Sequence, residues 1–150
     1  MGAEGPRCLL SLLIAMRQIL LFLLLAGGPF LWGQEGIPIG KGLDAKPLTS
    51  KQLKEVFLGN RSIWNNGNPV TVVLTSSHSE GFAKTAEWAL NADAFDYQKH
   101  WLSLVFQGRA NAPVFLSTEQ AVIDYVQNHD GAIGLLFEAK PPEELVVSLQ

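Results

Sequence analysis

The side chains with most chemistry to offer stand in one short stretch, Ser76-Ser77-His78-Ser79, with Glu80 and Gly81 just beyond it. Hydroxyl donors gathered where a helix begins, beside the free N–H groups of its first turn and the positive end of its dipole, can hold an oxyanion. On this reading Ser76, Ser77, Ser79 and Gly81 are the ligand-binding residues. The same hydroxyls suit a purely structural duty as well: Ser77 with Glu80 three residues on fits a capping box, and Ser79 fits a simple N-cap. A serine nucleophile with His78 as its base has less support. Adjacent loop residues rarely aim side chains at each other, and no glycine-flanked elbow of the GxSxG type precedes the helix. His100 and His129 lie on other elements without HExxH or comparable spacing. No metal site, no cofactor and no catalysis is expected.

The elements that must position these residues are a strand before them and a helix after them. Val70 to Leu74 is a short β-branched run, and Phe82, Ala86, Ala89 and Leu90 share one face of an amphipathic helix. Upstream, Leu48 to Gly59 carries the clearest helix signals in the chain. Thr49 and Gln52 form a capping box, Leu48 and Leu53 a hydrophobic staple, and Gly59 a C-terminal stop, with Leu53, Val56 and Phe57 on the buried face. The loop that follows holds an Asn66-Gly67 turn, Trp64 as an aromatic plug, and Asn60-Arg61-Ser62, which matches the glycosylation acceptor pattern. Residues 34–47, rich in Gly and Pro, read as a linker or as a short edge strand around Ile37 to Ile39.

Downstream, Asn91 or Asp93 caps a helix whose Phe95, Tyr97, Trp101, Leu102, Val105 and Phe106 are expected in the core. Arg109, in the loop Gly108 to Pro113, belongs on the surface by default and could otherwise reach an anion. Ser117 with Gln120 makes a further capping box before Val122, Tyr125 and Val126, and Asn128 to Gly131 ends that helix. Ala132 to Phe137 is a continuous apolar run, the mark of a strand buried on both faces of a mostly parallel sheet. Pro141-Pro142 breaks the chain, and Glu144 to Leu149 forms a last strand at an edge. The fold class is α/β, a small mostly parallel sheet flanked by helices.

Composition places this domain in the chain. Of 150 residues, 47% are hydrophobic, and much of that content lies in residues 1–33. Met16-Arg17, the apolar core from Ile19 to Ala26 and the turn-prone residues up to Gln34 read as a secretory signal cleaved after Gly33, beginning either at Met1 or at Met16. The alternative is an uncleaved anchor, since Leu9 to Trp32 is long enough for a hydrocarbon core of ~30 Å. Against it, Arg17 inside the span costs on the order of 3 kcal/mol. Cys8, the single cysteine, precedes the apolar core, so residues 34–150 offer neither disulfides nor thiolate ligands. Those residues carry nine Lys and Arg against thirteen Asp and Glu, a net charge of −4, which argues against nucleic acid as a partner.

Taken in order, the stretches LTSKQLKEVFLGNRSIWNNGNPVTVVL, SSHSEGFAKTAEWAL, the aromatic helix closing on VFQGR, and AVIDYVQNHDGAIGLL resemble the phosphate-binding proteins of bacterial ABC transporters. The likeness is to short exported relatives that keep about one lobe of a type II periplasmic binding protein, and it covers Leu48 to Leu136, so that residues 48–150 form the lobe. It implies a periplasmic substrate-binding-like protein related to phosphate transport, without catalysis, taking phosphate or a similar small oxyanion. In the family the loop at Thr75 to Gly81 carries an arginine, an aspartate and a Ser-Gly-Thr turn that hold the anion. Here Ser76 and Ser79 match hydroxyl positions, Thr75 stands at the arginine position, Ser77 at the aspartate, and Glu80 and Gly81 after Ser79. Two functions follow as expectations. The chain is a binding module for a weakly held oxyanion, with a transporter component as partner. Alternatively it is a ligand-free scaffold that contacts an envelope protein.

Overall fold

Val72, Val73 and Leu74 are all buried because the strand that holds them, β2 (Thr71–Thr75), has a packed layer on each of its faces. In the computed structural model, which describes residues 35–150, it lies inside a four-stranded sheet of order β1-β4-β2-β3. β3 (Val114–Leu116) and β4 (Ala132–Leu136) flank β2 in parallel, with Val73 opposite Val114 on one side and Gly134 on the other. β1 (Ile37–Gly40) closes the far edge antiparallel to β4, Ile37 facing Leu136. Of the two readings of residues 34–47, the strand is the one realised over Ile37–Gly40. Ile39 is fully buried there, so the lobe begins within that segment and not at Leu48. The readings of residues 1–33 as signal or anchor lie outside the described residues.

Successive strand residues point to opposite faces, and the sheet uses both. Val72, Leu74, Ile133 and Leu135 face α1 (Ser50–Phe57), α2 (Glu80–Leu90) and α3 (Ala94–Phe106), where they meet Phe57, Phe82, Tyr97 and Trp101. Val73, Ala132 and Leu136 face α4 (Glu119–Asn128), with Val122, Ile123 and Val126, and the 3₁₀ turn Glu143–Leu145. Gly134 lets α4 come this close, since a Cβ there would sit 2.6 Å from Val122 Cγ1.

Local signals set most helix ends. Thr49 and Gln52 form the reciprocal capping box, at 3.1 Å and 2.9 Å. Gly59 follows α1 at φ +73°, a left-handed conformation that glycine adopts freely. Trp64 plugs the loop as expected and donates its Nε1–H to the Gly131 carbonyl at 2.9 Å.

Four expectations are corrected. Ser77 with Glu80 makes no capping box; Ser79 caps α2 instead. Likewise α4 starts one residue later than the Ser117–Gln120 pattern suggests. Thr118 is its N-cap, accepting from Ala121 N–H at 3.1 Å, and the Gln120 amide turns outward to Asp124. On α3 the buried side chains are Tyr97, Trp101 and Leu104, whereas Phe95, Leu102 and Phe106 are 71%, 50% and 86% exposed. A helix covered on one side buries one arc, and these three residues lie on the opposite one. Finally, Glu144 to Leu149 is no full strand. After the 3₁₀ turn it runs as a strap, bridging Ile39 through Val146 and Leu48 through Leu149. β3 had no sequence signal at all, being three residues long after a proline.

Candidate functional site

Two parallel strands end side by side at Thr75 and Leu116, and each chain then turns into a helix N-terminus. This is the edge where open α/β sheets present ligand crevices. The two N-caps, Ser79 of α2 and Thr118 of α4, stand at the same cavity of about 530 Å³. Hydroxyls of Thr75, Ser79, Ser117 and Thr118 line it, Gly81 forms part of its floor, and the carboxylates of Glu80, Glu119 and Glu138 complete it. A neighbouring cavity of about 350 Å³ is lined by Ser76, Ser77, Gln98 and Phe115 and shares Ser117. The four residues expected to bind a ligand are thus divided. Ser79 and Gly81 face one cavity, and Ser76 and Ser77 the other.

The hydroxyl of Ser79 is already spent within the fold. It accepts from Phe82 N–H at 3.1 Å and donates to Thr75 Oγ1 at 2.8 Å, so its single proton is committed. At Gly81 a Cβ would come within 3.1 Å of Thr75 Oγ1 and 3.5 Å of Glu119 Oε1, so these side chains pack close against the first turn of α2. The N–H groups of Glu80 and Gly81 lie in the first turn and have no intrahelical acceptor.

Glu119 is the residue that the sequence did not point to. Its carboxylate accepts three consecutive backbone N–H groups beyond β4: Phe137 at 2.8 Å, Glu138 at 2.9 Å and Ala139 at 2.6 Å. Converging amides of this kind are a ready seat for an anion, and here the anion belongs to the chain itself. Nothing local marks it, because an acidic residue in a first turn ordinarily signals only a favourable dipole contact. Its partners lie 18 to 20 residues away.

The charge at the mouth is negative. Lys84 is the neighbouring cation; it pairs with Glu80 at 2.9 Å and its ammonium stands 5.8 Å from the Phe137 ring centroid. The hydrogen bond to Glu80 raises the Lys84 pKa; desolvation opposes it, and the fields of Glu80, Glu138 and Glu119 add to the rise. Neither arginine of the lobe is here. Arg61 is held by Asp44 at 2.6 Å and lies over the Trp64 ring, and Arg109 is in the loop entering β3, at the other end of that strand. His78 is exposed, and the hydrogen bonds of Ser79 go to Thr75 and Phe82. His100 and His129 meet the carbonyls of Leu58 and Tyr125. Among the described residues no group of three or more His, Cys, Asp or Glu side chains is placed to hold a metal ion. The arrangement can donate few hydrogen bonds to a dianion and offers carboxylate acceptors instead.

No protein-family model and no curated protein matches the chain. Among solved structures it is similar to an ABC-type phosphate transport receptor from Vibrio cholerae, at a TM-score of 0.51 and 12% identity. The match covers 77% of this chain and 46% of the receptor, so the chain spans less than half of that protein's length. At this identity the likeness is one of fold alone: a mixed α/β lobe with a small, mostly parallel sheet, at whose strand ends lies the hydroxyl-lined mouth.

Proposed function

We propose that the chain is an exported, non-enzymatic lobe of the solute-binding type, related to phosphate transport, that acts chiefly through contacts with an envelope or transporter protein. One observation carries this reading. Glu119 fills with its own carboxylate the three N–H groups that converge at the mouth, and Glu80 and Glu138 line the same cavity. A dianion arriving there meets three carboxylates and no arginine fork. Export rests on the signal-like residues 1–33, and a periplasmic location follows from it.

A second reading is favoured by a different observation, the two helix N-termini that open on one cavity. The Glu80 and Gly81 N–H groups and the hydroxyls of Ser117 and Thr118, which line that cavity, then hold a small oxyanion weakly. Monoprotonated phosphate suits such a mouth better than sulfate, because its P–OH can donate to a carboxylate.

Calorimetric titration with phosphate and with sulfate at low ionic strength separates the two. The proposed function expects no saturable heat at affinities tighter than about 1 mM, a binding free energy near −4 kcal/mol. Saturable binding of phosphate, absent for sulfate and weakened by Ser117→Ala, would overturn it in favour of oxyanion binding.

A further inference from the structure

Phe95, Leu102 and Phe106 fall at i, i+7 and i+11 on α3, within an arc of about 40° at 100° per residue. The arc points away from the buried Tyr97, Trp101 and Leu104. One turn beyond Phe95, Gln98 borders a cavity that Phe115 of β3 also lines, and Phe115 is 46% exposed and rests against Phe82 at 6.1 Å between centroids. Among the described residues β3 is an edge strand, paired with β2 alone, whereas the opposite edge of the sheet is crossed by the strap at Val146. At about 200 Å² for each phenylalanine, the exposed parts of these three rings leave about 400 Å² of apolar surface in water. That is as large as the biggest patch an ordinary monomer shows.

From this face we infer that the occupant is a second copy of the chain, packed on it about a two-fold axis with the two α3 helices antiparallel. The area decides the occupant. Two copies bring roughly 800 Å² from the rings and about 1,000 Å² with Leu102, close to the apolar share of a standard interface of ~1,600 Å². A stripe with a phenylalanine near each end is self-complementary under a two-fold, since Phe95 of one copy then lies toward Phe106 of the other. The inference rests on the reading that the lobe works through protein contacts, and names the first of those contacts.

Sedimentation velocity from about 1 to about 500 µM follows the dimer by mass action. The parent protein, purified from exporting cells, is expected to dimerise reversibly in that range. Phe106→Asp and, separately, Leu102→Glu should each weaken association by at least about 30-fold, the mark of an interface centre, with melting temperatures unchanged at concentrations where the parent is monomeric, because both side chains are exposed. Ile63→Asp, at a residue 60% exposed in the loop after α1, should leave the dimer intact. A parent that stays monomeric throughout, or association that survives both α3 substitutions, overturns the inference. Neither result bears on the phosphate titration, which tests the parent reading alone.

Discussion

Removing the Glu119 carboxylate should loosen the mouth without touching the core. In Glu119→Ala, three N–H groups lose a charged acceptor, a contact worth about 1.5–3 kcal/mol each where water is excluded. The Glu138 N–H is exposed and regains water at once, and the other two are part-buried. The net cost is therefore about 3 kcal/mol, and for a lobe of this size the melting temperature should fall by roughly 10 °C. Free formate can occupy the vacated seat. At about 0.5 M, with a dissociation constant near 0.1 M, it would return about 1 kcal/mol, or roughly 3 °C, to the alanine variant. The parent, whose seat is filled, should not respond beyond a chloride control at equal ionic strength. Glu119→Gln should fall between, because its amide keeps one acceptor but turns an NH₂ toward the remaining N–H groups. Differential scanning calorimetry reads all of this. An alanine variant melting within about 2 °C of the parent, or formate stabilising both proteins alike, would refute the idea that this carboxylate is the resident anion.

Three further perturbations test the framework around it. Gly134→Ala should cost about 1–3 kcal/mol in urea unfolding, since the new methyl meets Val122 Cγ1 at 2.6 Å, and Val122→Ala in the same chain should recover part of that loss. Asp44→Ala should cost about 2–3 kcal/mol: the carboxylate, only 6% exposed, accepts from Arg61 and from Asn65 N–H, both at 2.6 Å, and its removal leaves the guanidinium without its closest partner. Tyr97 is fully buried and donates to the Phe57 carbonyl at 2.7 Å, and burial pushes its pKa above the ordinary 10.0. Between that ordinary value and the raised one the unfolded chain has lost this proton and the folded chain keeps it. Stability should thus be unaffected by this group below about pH 10 and decline above it by about 1.4 kcal/mol per pH unit. The decline should be shallower in Tyr97→Phe, and equal slopes for the two proteins would refute it.

What the sequence made legible was local. The Thr49–Gln52 box, the Gly59 stop and the strand, loop and helix around Ser79 each depend on residues within four positions of one another, and each formed. The resemblance added the global arrangement, since no single stretch says that Thr75 and Leu116 must end side by side. Misreadings arose where a distant partner decides. Aromatic content on α3 says nothing of which arc the sheet will cover, so Phe95 and Phe106 read like Tyr97. Ser117 and Thr118 are equally good caps by type, and the choice falls to Thr118, which puts Glu119 first in the helix and against the amides of 137–139. The serines were rightly seen as gathered at a helix start. Their division between two cavities depends on β3, which has too few residues to show a period.

The route of the chain through the sheet has a consequence for how it is made. Ile37 meets Leu136, and Leu48 meets Leu149, each across about a hundred residues. The first strand has no neighbour until the last has been synthesised, and contacts of such long range form late and slowly. The helices and the β2–β3 pair can form as they emerge, but β1 and the strap dock only once β4 and the last residues exist, so this edge of the sheet closes last.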